Sequence, residues 1–345
     1  MQSGPDSYVG PVVHQRSGFH LSDSVRPFSY HRANSVDDAT RHLADANALP
    51  VGGGTDLLVF LQEELAAPTE LVSLNEIPGW RDISARRDGS IRIGAGARIS
   101  DIARHADIQR SFPALSQACQ SVGTTALRHM GTLGGNLCQR PRCWYFRRNV
   151  KCLKNGGSDC PAKLGENQYH AIFCGGPCYI VHPSDPAVAL TALDAHVEIA
   201  GQGGSRMLSA ENFFVLPSVR LDGETALERG EIVVAVEIPA VSAGGRQRYD
   251  KLMQRGSWDF ALVSIAAAKR TDGDVRLVLG GVAPKPWRVV SSIEEDVASG
   301  SLDEYDIETL AERALYDARP LDKNAYKVEQ ASALLRRAIT FLSDS

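Results

Sequence analysis

The chain has no apolar run approaching the roughly 20 residues that a membrane-spanning helix needs. Nor does it have an excess of positive charge: 37 Lys and Arg stand against 41 Asp and Glu, a net charge of −4. That balance argues against nucleic acid or an anionic membrane as the main partner. Neither of its two principal glycine-rich turns leads into the Lys-Ser/Thr pair of a Walker loop or has the G-x-G-x-x-G spacing of a Rossmann site, which disfavours nucleoside triphosphates and a Rossmann-bound NAD. No nucleophile constellation stands out. Residues 1–25 lack both an apolar core segment and an adjacent arginine pair, so a flexible tail is expected there rather than an export signal.

What the chain does have is cysteine gathered in one place. Six of its seven cysteines (Cys138, Cys143, Cys152, Cys160, Cys174, Cys178) fall between Gly131 and Asp185, with only Cys119 upstream. An odd count concentrated in one loop argues against a disulfide framework and favours a reducing compartment or a metal-occupied loop, with the cytoplasm as the default location. Thiolates held near one another ligate zinc or an iron–sulfur cluster, because soft sulfur suits both. Structural zinc usually shows two short Cys knuckles, whereas Cys143, Cys152, Cys160 and Cys178 are separated by eight, seven and seventeen residues. Wide, irregular spacing fits a loop wrapped around a cuboidal cluster better than a zinc knuckle, without deciding between them.

The two turns are Val51-Gly52-Gly53-Gly54-Thr55-Asp56-Leu57, after a short strand, and Gly131-Thr132-Leu133-Gly134-Gly135-Asn136. Glycine lets backbone N–H groups converge on an anion, so each is a candidate phosphate turn, with a plain tight turn as the alternative. The remaining pattern is mixed. Ser35 caps a helix carrying Ala39, Leu43 and Ala46 on one face. Ile91, Ile93 and Ala95 alternate as a half-buried strand does. Val197 and Ile199 before Gly-Gln-Gly-Gly read as a hairpin, and Phe213-Phe214 with Pro217 as the end of that sheet region. Tyr249–Met253, Asp259–Lys269 and Val275–Gly281 read as strands, and residues 322–342 as a helix with Ala325, Val328, Ala331, Leu335, Ala338 and Leu342 on one face. The 345 residues suffice for two or three domains, and 43% hydrophobic and 23% charged are ordinary for a globular protein.

Five stretches, taken in order, resemble the FAD-binding subunit of the molybdenum hydroxylases, the xanthine dehydrogenase and aldehyde oxidoreductase family. They are GGGTDLL at Gly52–Leu58, TLGGN at Thr132–Asn136, SDPAVALTALDA at Ser184–Ala195, GEIVVAVEIP at Gly230–Pro239 and KLMQRGSWD at Lys251–Asp259. The resemblance runs from Arg26 to the C-terminus, and in particular to the branch with an extra [4Fe–4S] loop, of the aldehyde oxidoreductase and 4-hydroxybenzoyl-CoA reductase type. It implies an α+β protein: a two-subdomain FAD-binding domain of the PCMH (vanillyl-alcohol-oxidase-like) type at 26–225, an iron–sulfur loop inserted at 138–180, and a C-terminal flavoprotein domain of CO dehydrogenase type at 226–345, with a three-stranded antiparallel sheet and helices.

The resemblance also implies a site. FAD would be bound by Val51 to Leu57 and by Thr132, Gly135 and Asn136 at the diphosphate. Asp185 would reach the flavin's sugar or ring side, Val233 would lie against the flavin, and Lys251 would stand near the isoalloxazine. The plain alternatives are a helix cap for Asp185 and solvent for Lys251. The cluster ligands correspond to Cys143, Cys152, Cys160 and Cys178, with Cys138 and then Cys174 as substitutes, otherwise small packed hydrophobes. The Trp144-Tyr145-Phe146 triplet would shield a cluster or simply pack, and Arg140, Arg142, Arg147, Arg148 and Lys151 would either be solvated or meet an acidic group. His129, His170 and His182 are expected to be structural. No histidine adjoins the GGGTDL turn, so noncovalent FAD is expected, and no C-x4-C-x2-C ferredoxin spacing occurs. Molybdopterin and [2Fe–2S] centres are then expected on separate large and small partner subunits. Export beside a signal-bearing partner is the alternative location, and a stand-alone FAD oxidase with a structural cysteine loop is the alternative function.

Overall fold

Short β-rich runs separated by capped helices begin at residue 29, and the computed structural model describes residues 25–300 and 302–343. The expected tail lies outside the described residues apart from Val25. Strand β1 (Ser29–Arg32), helix α1 (Val36–His42), β2 (Ala48–Val51), α2 (Leu57–Gln62) and β3 (Glu70–Ser73) form a small unit whose three parallel strands run β1-β3-β2. Ser35 caps α1 by accepting from the Asp38 N–H. The helix ends at His42, one turn short of the expected face, so Ala46 is exposed while Ala39 and Leu43 are buried.

A five-stranded sheet follows: β4 (Ile83–Ala85), β5 (Ile91–Gly94), β6 (His196–Gly201), β7 (Gly204–Ser209) and β8 (Ile232–Ile238), in the order β4-β5-β8-β6-β7. Between β5 and β6 the chain makes α3 (Ile99–Arg104), α4 (Ala106–Ser111), α5 (Pro113–Gln120), α6 (Thr125–Met130), α7 (Leu133–Leu137), the cysteine loop with the single-turn α8 (Trp144–Arg147), and α9 (Asp185–Ala192). Helix α10 (Ala210–Phe213) follows β7. Strand β8 pairs with both β5 and β6. The sheet therefore does not end at Phe213-Phe214, and the division between the two halves falls after β8 rather than at residue 225. The outlying strand was misplaced because its partners lie far away in sequence.

The second half is a four-stranded antiparallel sheet, β12 (Trp287–Arg288), β11 (Val275–Gly280), β10 (Val263–Lys269) and β9 (Arg246–Leu252), one short strand more than expected. Helices α11 (Ser291–Ala298), α12 (Glu304–Ala314) and α13 (Tyr326–Ser343) complete it. Helix α13 lays Ala331, Leu335, Ala338 and Leu342 on β10, while Ala325, just outside the helix, is exposed. From the other side α5 and α9 cover the same sheet. The two halves are thus joined through α5 and α9. Among the described residues no helix is long and apolar enough to cross a membrane.

Candidate functional site

The two glycine turns meet. Gly53 approaches the Met130 carbonyl so closely that a Cβ there would lie 1.9 Å from its oxygen, and a Cβ on Gly52 would lie 2.8 Å from Thr132 Oγ1. Only glycine permits that approach. Thr132 caps α7, accepting from the Gly135 N–H, and Asn75 Nδ2 donates to the Gly52 carbonyl at 3.0 Å. Together the turns wall a cavity of about 360 Å³. Every residue from Val51 to Leu57 lines it, with Thr132, Gly135 and Val233. Trp80 completes the wall, and its buried Nε1–H has no acceptor among the described residues. Asn136 is set back from this cavity. Its side chain accepts from Ser184 Oγ at 2.6 Å and so ties the second turn to the start of α9.

A second cavity of about 430 Å³ opens beyond α9, lined by Arg142, Trp144, His182, Asp185 and Phe260 among others. Ser184, not Asp185, caps α9. Asp185 is 6% exposed, accepts from Lys251 Nζ at 2.8 Å and accepts from the Tyr249 hydroxyl at 2.6 Å. Burial raises its pKa, and Lys251 and Tyr249 oppose that rise. Lys251 is accordingly neither in solvent nor in the wall of either cavity: it is the buried counter-ion of Asp185 and also donates to the Ser121 carbonyl at 3.1 Å. His182, held near pKa 4 by burial, and His170, likewise lowered to about 4 by burial first and then by the Lys327 charge, both stay neutral in the wall. Among the described residues His170 Nδ1 and His182 Nε2 are buried without a hydrogen bond of ordinary geometry, although the Asn167 and Leu137 backbones lie close to the two rings. Those atoms and the orphaned Trp80 N–H are the unsatisfied polar groups expected of walls shaped for a polar ligand.

Asp56 stands between the cavities. It accepts from the Arg140 N–H at 2.9 Å, from Arg147 Nη2 at 2.8 Å and from Arg142 Nη1. Burial opposes its ionisation, but Arg142, Arg147 and the Arg140 amide outweigh that and hold its pKa below the usual carboxylate range. Arg147 also lies over the Phe60 ring, and Phe60 packs against Phe146 and Cys152. Arg140 and Lys154 share the buried Glu224, Lys154 at 2.6 Å. Arg140, Arg142 and Arg147 therefore meet acidic groups inside the structure, while Arg148 and Lys151 are exposed.

The cysteine loop fills the space between the cavities and the C-terminal helices. Cys143 is near enough to Cys152 and Cys160 to feel their charge, and Cys160 and Cys178 face one another closely enough for one thiol to polarise the other. That contact, helped by backbone N–H groups, lowers Cys160 to about 6 and raises Cys178, while burial raises Cys143 to about 11. His170 Nε2 lies 3.3 Å from Cys143 Sγ. Cys138 stands apart in the wall of the first cavity, its thiol raised to about 12 by burial, and Cys174 is exposed. Of the aromatic triplet, Phe146 packs on Phe60, Trp144 meets Tyr169 edge-on, and the Tyr145 hydroxyl accepts from the Glu166 N–H. Further on, Ile172 and Phe173 enter the core of the second half, and Lys327, wholly buried on α13 with its pKa lowered to about 7 by burial, donates to the carbonyls of Tyr169 and Gly281.

Sequence reasoning missed Trp80, Asn75 and Phe260. Asn75 and Trp80 lie in no motif, and Phe260, in the second wall, follows directly on the last residue of KLMQRGSWD, the motif that also supplies Gln254, Arg255 and Asp259 to that wall.

A pair of glycine turns walling one cavity, with a second cavity lined by a buried carboxylate, suits an extended ligand that carries a diphosphate. Residues 26–241 match the family described as FAD binding domain in molybdopterin dehydrogenase. The chain is 37% identical to the aldehyde oxidoreductase FAD-binding subunit PaoB of Escherichia coli over 90% of its own length and 96% of that protein. It is 27% identical to the glyceraldehyde dehydrogenase medium chain of Sulfolobus acidocaldarius, over 85% and 89%. Its fold matches a chain of the carbon monoxide dehydrogenase of Hydrogenophaga pseudoflava with a TM-score of 0.72 at 23% identity, covering 92% of this chain and 98% of that one. The chain belongs to the FAD-binding medium subunits of the molybdopterin dehydrogenases.

Proposed function

We propose that this chain holds FAD across the two cavities and one [4Fe–4S] cluster in the cysteine loop, as the electron-transfer subunit of a heteromeric molybdenum hydroxylase of the aldehyde or xanthine dehydrogenase kind. When bound, the flavin would accept electrons delivered from molybdenum and [2Fe–2S] partners and release them to an external acceptor. The observation that carries the reading is the pair of cavities flanking the Asp56–Arg142 contact, one with glycine-cradled walls and one with neutral polar walls, beside the cysteine loop. The chain's own part is to hold the diphosphate at Gly52–Thr55 and Thr132–Gly135, to keep Asp185 charged and fixed through Lys251, and to exclude water from the thiols with Phe60 and Phe146.

The thiols support a cluster over zinc. One tetrahedral ion at about 2.3 Å per sulfur needs its four donors almost in contact. Among the described residues no three cysteines bring their sulfurs within 4.8 Å of one another. A cuboidal cluster, with one thiolate per iron corner, spaces them further apart. The proposed ligands are Cys143, Cys152, Cys160 and Cys178, since Cys138 belongs to the first cavity and Cys174 faces outward.

The relatives are named FAD-binding subunits and medium chains, which supports a multi-subunit complex; its other members are proposed to be a large molybdopterin-binding and a small [2Fe–2S] subunit. The cytoplasm is the proposed location, with export beside a signal-bearing partner as the alternative. Iron, zinc and acid-labile sulfide per flavin, measured on protein purified without oxygen, test the reading. About four irons and four sulfides per FAD are expected. Zinc, or FAD without metal, would reduce the loop to a structural insertion.

A further inference from the structure

Outside the walls of both cavities, the N-terminal unit gathers two histidines and two carboxylates. Strands β1 and β3 pair in parallel with Ser29 opposite Glu70 and His31 opposite Val72, so His31 and Glu70 project from the same face, two residues out of step. Helix α1 crosses that unit and turns Asp38 and His42 to one side, because residues four apart share a helix face. The four side chains meet. His31 Nε2 lies 2.8 Å from Asp38, His42 Nδ1 lies 3.0 Å from Glu70, and the two imidazoles stack with centroids 3.7 Å apart.

We propose that His31, His42 and Glu70 bind a borderline divalent transition-metal ion, zinc(II) or a close relative, with Asp38 as the orienting carboxylate on His31. Donor atoms of these three side chains all lie within 4.8 Å of one another, the one such group among the described residues. Bonds of about 2.0–2.2 Å to nitrogen and oxygen place neighbouring donors of a tetrahedral ion roughly 3.3–3.5 Å apart, so seating the ion requires the two stacked rings to rotate until their in-plane lone pairs converge on it. Two imidazoles and a carboxylate suit zinc, nickel or copper, not magnesium or calcium. The side chains are 23–33% exposed, which leaves a path for entry and a place for water as the fourth ligand.

Charge favours it as well. The group carries two carboxylates, against which, among the described residues and apart from the two histidines, Arg41 alone forms an ion pair, at 2.9 Å from Asp38. Protonating both stacked rings would set two cations face to face, whereas one divalent ion meets both carboxylates without that repulsion. The structural purpose is plain from the topology: an ion here would pin β1, α1 and β3, the scaffold from which the Gly52–Gly54 turn departs.

The test is cobalt(II) titration of the full-length protein followed by visible absorption. One equivalent with weak d–d bands and no thiolate charge-transfer absorption is expected, displaced by zinc and retained in Cys152→Ser. H42Q and E70Q should each weaken it by roughly 10- to 100-fold. If H42Q fails to fold, E70Q, nearly isosteric, reads the same site. Cobalt bound only with thiolate charge transfer, unchanged affinity in E70Q, or no binding would overturn the proposal and leave the group a proton-sharing His–carboxylate network.

Discussion

Arg147 reaches back across 91 residues of chain to donate to the Asp56 carboxylate at 2.8 Å. One carboxylate thereby belongs to both halves of the site: its backbone is the end of the first glycine turn, and its oxygens hold the loop that carries the thiols. Asp56→Asn keeps the shape and removes the charge. It is expected to cost about 1.5–3 kcal/mol of stability, the value of hydrogen bonds to a charged group. Because the folded pKa is held below the ordinary value, the stabilisation is complete above about pH 4 and is lost as pH falls through the lower folded value. Thermal midpoints from pH 2.5 to 7 should show an acid limb that is steeper in the wild type than in the variant. Equal limbs would mean the clamp contributes nothing.

Cys152→Ser separates what Asp56 joins. Its sulfur lies in the small core with Phe60 and Phe146, away from both cavity walls. Iron should fall while flavin stays near the wild-type ratio, and Asp56→Asn should lower both. Full iron occupancy in Cys152→Ser would remove that residue from the ligand set.

Gly53→Ala inserts a methyl group 1.9 Å from the Met130 oxygen, and that oxygen is backbone and has little room to retreat. The turns must separate, so FAD affinity, followed by quenching of flavin fluorescence, should fall about tenfold or more, equivalent to at least ~1.4 kcal/mol. Iron per protein should change less. An unchanged affinity would place the diphosphate elsewhere.

Lys251 and Asp185 are 3% and 7% exposed at their side chains. Removing one partner of such a pair typically costs about 3–5 kcal/mol because the other charge is stranded. Lys251→Met alone should therefore destabilise more than the double variant with Asp185→Asn. Chemical denaturation of the four proteins of that cycle gives the coupling, and strict additivity would count against a charged pair.

Most of what the sequence displayed correctly was local. The cap at Ser35, the β6–β7 hairpin and the glycine turns depend on residues within a few positions of each other, and their signals sit together in the chain. The misreadings concern partners chosen over long separations. Strand β8 joins β5 and β6 from far downstream, and nothing in Ile232–Ile238 names its neighbours. For Lys251 the sequence offers the flavin or solvent, and neither names Asp185, 66 residues earlier. For the loop arginines it leaves solvent and an acidic group open, and Asp56 and Glu224, on either side of the loop in sequence, decide it for Arg140, Arg142 and Arg147. Asn136 shows the reverse case, a motif residue whose side chain is spent holding Ser184 instead of facing the first cavity.

The hold that α13 and the residues before it have on the loop also sets an order of events in the cell. Asn324 donates to the His170 carbonyl, the Lys323 N–H donates to Asn167, and the Tyr326 hydroxyl and Lys327 donate to the carbonyls of Gln168 and Tyr169. These contacts span up to 158 residues. At about 5–20 residues per second the ribosome takes roughly 8–30 s to make that stretch. For most of that interval, from Cys178 onward, all six clustered thiols have been synthesised but lack the segment that holds the loop closed, so the loop stays open until the stretch around Lys323–Lys327 is made.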